Sequence, residues 1–281
     1  MTRDESIIEL GAWLQTPPGR YLLGWEQAWL DHAVADAFGF HALQLGLPEL
    51  DGLRANRMPH RWVASDSLIV PEPPPPPPPA DGVSTTAVGS EPVHLHCEFD
   101  ALPFPNASLD LVLLPHALEL AGDPHLTLRE VERVLVPEGR LLIMGFNPAS
   151  LWALRQRAGR ARHGLGLWRS RRLYLPQGGE FIGYWRLCDW LRLLGFEVEA
   201  GRFGCYRPPC HSERWLHRYA WMDPLGDRWW PVLGAAYGVS AVKRVRGMRL
   251  VGLAKRDLRK APKAAVVIAP QRRRQNETEN A

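Results

Sequence analysis

The sequence predicts an α/β protein: a doubly wound, mostly parallel seven-stranded sheet, with helices ahead of it and a basic tail behind. Three observations carry this. Leu109 to Leu114 is apolar but for Asp110 and lies between two polar turns, the composition of a strand buried on both faces. Pro124 to Leu135 then sets Leu126, Leu128, Val131, Val134 and Leu135 on one side and Arg129, Glu130, Glu132 and Arg133 on the other. Arg140 to Phe146 is again apolar, and strand, crossover helix, strand is the repeating unit of a parallel sheet.

The remaining elements fall around this unit in order. After Thr16-Pro-Pro-Gly, the residues Leu22, Trp25, Trp29, Ala33 and Ala37 recur at spacings of three and four, with Leu30, Val34 and Phe38 widening the stripe. That is an amphipathic helix which packs over the sheet, ended by Gly39. Phe40 to Leu47, Arg61 to Ser65 and Pro92 to Cys97 read as the first three strands. Between the second and third stand seven consecutive prolines, 73 to 79, a polyproline spacer in a surface loop. Asn147-Pro148 is expected to open a helix with proline at its first position. Phe181 to Leu194 is helical, with Trp185, Leu187, Cys188, Leu191 and Leu194 as its apolar side and Gly195 as its cap. Phe196 to Tyr206 and Ala236 to Val242 are the last two strands, separated by an insertion carrying Trp215, Trp221, Trp229 and Trp230. The expected organisation is an N-terminal helical cap (1–39), a catalytic-type domain (40–245) containing the Pro-rich loop 71–92 and a basic arm 155–176, and a basic tail (246–281).

At 281 residues the chain can bury a sizeable core. No apolar run approaches the ~20 residues that span a bilayer, and Met1 to Ser6 lacks a signal pattern, so a cytoplasmic protein is expected. The four cysteines form no CxxC pair, which indicates neither a disulfide framework nor a zinc knuckle. His94, His96 and Cys97 read as residues of one strand, whose successive side chains point to opposite faces, and no metal is expected. The net charge of +4 hides an asymmetry. Arg155 to Arg172 holds seven arginines and no acid, and Lys243 to Arg274 holds twelve Lys and Arg against Asp257 alone. The rest of the chain is therefore acidic, and the two basic segments either meet phosphate-rich partners or dock on that body.

In a doubly wound sheet the ligand sits at the carboxyl ends of the strands. The loops there are Gly46 to Gly52, Asp66, Asp100 to Leu102 and Pro115 to Glu119. Asp100-Ala-Leu-Pro-Phe-Pro-Asn-Ala-Ser-Leu-Asp-Leu-Val112, His116-Ala-Leu-Glu119, Leu128 to Leu141 and Leu191-Arg-Leu-Leu-Gly-Phe196 resemble the class I S-adenosylmethionine-dependent methyltransferases, in the branch of ubiquinone and menaquinone biosynthesis. The resemblance spans roughly residues 40 to 245 and implies a Rossmann-like methyltransferase fold with S-adenosyl-L-methionine as cofactor. It implies that Asp100 meets the adenine amino group, with Ala101 and Leu102 flanking the ring. Asp66 would hold the ribose hydroxyls, and Pro115 and His116 would lie beside the methionine moiety.

The chain departs from the family at its first strand, where Gln44-Leu-Gly46-Leu-Pro48-Glu-Leu50 replaces an acid followed by three spaced glycines. Only Gly46 remains; Pro48 removes a donor and Leu50 resists positive φ. Glu49 is the candidate to reach the cofactor's ammonium group instead. Aligning nucleophile and methyl supplies most of the rate of such a transfer. A base serves only an acceptor that must lose a proton. His116 is the candidate base and Glu119 the second, while the alternative for His116 is a cap on the turn. Three functions remain open on the residues alone: a methyltransferase acting on a small-molecule acceptor, a binding or regulatory module of the same fold without catalysis, and an RNA-directed methyltransferase using the basic arm and tail. A nicotinamide dehydrogenase is a poor fit, because GxGxxG is absent. Oligomeric state is not legible.

Overall fold

The computed structural model of the chain describes residues 3–66, 92–164, 174–176 and 180–245. Most of the polyproline loop, the centre of the basic arm and the tail 246–281 lie outside the described residues.

Seven strands form one sheet in the order β3-β2-β1-β4-β5-β7-β6. They are β1 (His41–Leu45), β2 (His60–Ser65), β3 (Val93–His96), β4 (Leu109–Pro115), β5 (Leu135–Phe146), β6 (Phe196–Gly204) and β7 (Ala236–Lys243). β1 to β5 pair in parallel, and β7 runs antiparallel between β5 and β6. This is the doubly wound, mostly parallel seven-stranded sheet that the sequence predicts. The central strands β1, β4 and β7 are buried almost throughout, whereas β3 at one edge is largely exposed.

Period-two alternation divides the core between two faces. Leu43, Leu45, Val112, Leu114, Leu141, Ile143, Val239 and Ala241 meet α4 (Pro124–Val134) and α6 (Tyr184–Leu193) through Leu128, Val131, Leu187 and Leu191. On the other face, Ala42, Leu111, Leu113, Leu142 and Met144 meet α1 (Arg3–Leu14) and α2 (Pro17–Ala35) through Leu10, Leu14, Leu22, Leu30 and Val34. Each leucine, isoleucine, valine and methionine among these contributes about 1.5–3 kcal/mol by leaving water.

Parallel neighbours usually need a crossover helix. Residues 46–59 instead carry the chain from β1 to β2 in turns alone, and α2, which precedes β1, covers that face. Thr16 caps α2 by accepting from the Gly19 amide (3.4 Å), with prolines in the first turn. Trp25 and Trp29 lie so close to the sheet that a Cβ on Gly204 would fall 2.0 Å from the Trp25 ring, and one on Gly238 2.8 Å from Trp29.

Three local expectations are corrected. Phe38 lies past the end of α2 and is exposed, because the helix stops at Ala35 and the stripe with it. Trp185 faces solvent rather than the apolar side of α6, where Leu187, Cys188 and Leu191 fill the interior. Asn147-Pro148 does not open a helix. The Asn147 amide donates to the carbonyls of Val232 (2.7 Å) and Gly234 (2.8 Å), which holds the pair in a turn, and α5 (Leu151–Gly164) starts three residues later. The first half of the basic arm is thus helix α5, seated by buried Trp152, Ala153 and Gln156.

Candidate active site

β4 ends in Pro115, and the chain then turns sharply into α3 (Ala117–Leu120). His116 makes the turn at φ 54, a left-handed conformation that a non-glycine residue keeps only where its surroundings hold it. Its amide donates to the Met144 carbonyl of β5 (3.1 Å), and its ring is fully buried against Phe146, 4.4 Å between centroids.

Both ring nitrogens are committed. Nδ1 lies 2.8 Å from Glu119 Oε2, and Nε2 lies 2.7 Å from Oε1 of Glu26, a fully buried residue of α2. Burial alone would depress the imidazole, but Glu26 and Glu119 on either side outweigh it and push His116 up to about 10. An imidazolium between two carboxyl groups is the result. Burial raises Glu119, opposed by His116 and by the Phe146 amide, which donates to Glu119 Oε1 at 2.5 Å. Glu26 Oε2 is buried and has no hydrogen-bond partner among the described residues. A buried carboxyl oxygen without a partner is costly, and a ligand's cation or donor could satisfy it.

The loop after β1 is organised differently. Gln44, in the position of the family's acid, is buried and donates to the carbonyls of Leu47 (3.0 Å) and Leu50 (2.7 Å), while its Oε1 accepts from the Gly52 amide (3.1 Å). These bonds fold the loop inward and place Leu47, Leu50 and Leu53 in the core. Gly46 and Leu47 both take positive φ, 76 and 44. Gly46 donates to Ala64 of β2 (2.8 Å), and a Cβ on it would stand 3.6 Å from Ala117 and 3.7 Å from the Phe99 ring. The loops after β1, β3 and β4 therefore meet at Gly46.

Among the residues singled out in the sequence, His116 and Glu119 are in direct contact, and Gly46 adjoins the residue after His116. Glu49 is not brought to them: it is exposed and stands against α1, its Oε1 2.8 Å from where a Cβ on Gly11 would be. Asp66 follows β2 beside Cys97, whose thiol is pushed up to about 11 by burial and by that carboxylate. Asp100 and Ala101 are exposed, and Leu102 is buried with its amide donating to Glu130 Oε1 (2.9 Å). Glu26 is the residue that sequence reasoning missed. A signal existed, since an acid stands four residues after Leu22 and four before Leu30 on the apolar stripe of α2.

A cavity of about 550 Å³ lies between α2, the end of β6 and α8 (Met222–Trp229). Tyr21, Trp25, Tyr206, Asp223 and Asp227 line it. The Tyr21 hydroxyl donates to Asp223 Oδ1 (2.5 Å), Arg207 donates to Asp223 Oδ2 (2.9 Å), and the Arg207 guanidinium stacks 4.2 Å from the Tyr21 ring. Cys205 in its wall is buried at φ 62, and burial, then Glu26, raises its thiol well above the ordinary range. The cavity wall thus adjoins the Glu26 cluster.

Residues 80–143 match the model of a methyltransferase domain. Over 200 residues the chain is 30% identical to the uncharacterized protein YafS of Escherichia coli K12, covering 71% of this chain and 70% of that protein. A shorter match, 37% identical over 54 residues, is to a demethylmenaquinone methyltransferase of Chlamydia pneumoniae, covering 19% of this chain and 24% of that one. Among solved structures, the putative methyltransferase seen in complex with the Haloferax volcanii Trm112 activator superposes with a TM-score of 0.50 at 17% identity, over 85% of this chain and 97% of that one. Sheet order, domain match and relatives agree, and the chain belongs to the class I S-adenosylmethionine-dependent methyltransferase family, whose cofactor is S-adenosyl-L-methionine.

Proposed function

We propose that the protein transfers a methyl group from S-adenosylmethionine to a small-molecule acceptor, and that Glu26 replaces the missing glycines in holding the cofactor's methionine end. The observation that carries this reading is the buried, unpartnered Glu26 Oε2. It fits the α-ammonium group, which would give that oxygen its charge-assisted hydrogen bond. Asp66 would hold the ribose hydroxyls and Asp100 the adenine amino group, with Ala101, Leu102, Gly46 and Pro115 flanking.

The cofactor supplies an activated sulfonium methyl; the chain's task is to bind, orient and keep water out. His116 and Glu119 serve that task as a clamp. A buried imidazolium with both nitrogens engaged has no lone pair for an acceptor's proton, so its role is to position Glu26. The 550 Å³ cavity beside Cys205 and Glu26 is the place for the acceptor, with aromatic walls and the Asp223–Arg207 pair to orient a polar group. Calorimetric titration with S-adenosylmethionine tests this: micromolar binding by the wild-type chain and at least tenfold weaker binding by Glu26→Gln are expected. No wild-type binding at millimolar cofactor would defeat the reading.

A second reading is a binding module of the same fold without catalysis. The inward-folded loop, with Leu47 and Leu50 in the core, favours it. It predicts a null result in that titration.

A further inference from the structure

We infer that the insertion between β6 and β7 is a docking surface for an anionic lipid bilayer. It comprises α7 (Glu213–Arg218), α8 and a 3-10 turn, Pro231–Leu233. Counting from Trp221, the residue that caps α8, Trp221, Leu225 and Trp229 recur every four residues and so form one stripe, 56%, 37% and 68% exposed. Trp215 on α7 and Trp230, Val232 and Leu233 beyond α8 are exposed as well. Seven large apolar side chains in one short segment exceed the scattered exposure normal for a protein surface.

The charges around the stripe select the occupant. Each acid of α7 and α8 faces an arginine outside those two helices: Glu213 faces Arg20 (3.8 Å), Asp223 faces Arg207 (2.9 Å) and Asp227 faces Arg202 (3.4 Å). The segment's own Arg214, Arg218 and Arg228 are exposed and face no carboxylate among the described residues. Exposed tryptophans beside uncompensated arginines suit the boundary between headgroups and acyl chains. There indole rings take the interfacial layer, and guanidinium groups pair with phosphate. No described helix is long and apolar enough to cross a membrane, so the association is peripheral. The inner side of α8 lines the 550 Å³ cavity through Asp223, Pro224 and Asp227, so docking would bring that cavity to the lipid surface.

Co-sedimentation of the full chain with vesicles of phosphatidylcholine alone, or with phosphatidylglycerol added, tests the inference. The wild-type chain should bind the anionic vesicles at least about tenfold tighter than the neutral ones, given three arginines near the surface. The triple variant Trp221→Ser, Leu225→Ser, Trp229→Ser should lose at least about tenfold of that binding although residues 246–281 remain. Arg214→Gln with Arg218→Gln and Arg228→Gln should lose the anionic preference. Trp229→Ser alone, at the most exposed position, replaces the triple variant if circular dichroism shows that the latter does not fold. The inference fails if wild type stays in the supernatant with anionic vesicles. It fails equally if the tryptophan variants sediment like wild type, which would assign binding to the basic arm or tail. Wild type that leaves the vesicles but runs as a dimer, with the variants monomeric, would make the stripe a contact between copies.

Discussion

Two loops at the same sheet edge bury polar side chains in opposite ways. Near the end of β1, Gln44 is a neutral amide whose oxygen and nitrogen are both spent on the backbone of the loop that follows. After β4, His116 and Glu119, joined by Glu26 from α2, bury ionisable groups, and one carboxylate oxygen is left over. A satisfied neutral group holds a loop in shape. A buried charge with spare bonding capacity is expensive to keep and gives a ligand something to bind.

The largest effect that would break this contrast is expected at His116. His116→Ala leaves Glu26 and Glu119 buried without their partner and should cost about 3–5 kcal/mol in urea unfolding. A loss under 1 kcal/mol would mean that the cluster is not ionic. Next, Gln44→Leu should cost about 2 kcal/mol, because the carbonyls of Leu47 and Leu50 lose their buried donor. If Gln44 is purely structural, cofactor affinity per folded molecule changes far less in this variant than in Glu26→Gln.

The pH dependence separates the two loops again. His116 is raised from an ordinary value near 6.5 to about 10, so the folded state binds the proton more tightly than the unfolded state. The stabilisation is fully present below about pH 6.5 and is lost as pH climbs through about 10, and the raised Glu119 acts in the same direction. Urea unfolding between pH 6 and 10 should show the decline in wild type and in Gln44→Leu, and a flatter profile in His116→Ala. The smallest effect is expected at exposed Glu49. Glu49→Ala should stay within about 0.5 kcal/mol of wild type and bind S-adenosylmethionine as tightly. Weaker binding would return Glu49 to the cofactor.

The sheet was legible because its strands carry their burial in their composition. Leu111 to Leu114 admits no solvent-facing side, and Gly195 marks where α6 gives way to β6. Phe38 and Trp185 misled for the converse reason: apolar spacing persists past a helix end, and only neighbouring elements decide whether it is covered. Of the site, His116 and Glu119 were legible as a turn pair because they are three residues apart. Their third partner is ninety residues away on another helix, where no local pattern links it to them.

By itself the sequence determined the succession of the seven strands, the charge asymmetry and the loss of the glycine loop, since each is a property of short stretches and their composition. The tertiary structure decided that α2 takes the face a crossover helix would cover. Glu26 thereby reaches His116, and Gln44 closes the loop beneath. Two carboxyl groups brought to either side of one imidazole hold its proton against the cost of burial, and that proximity is a property of the packed chain.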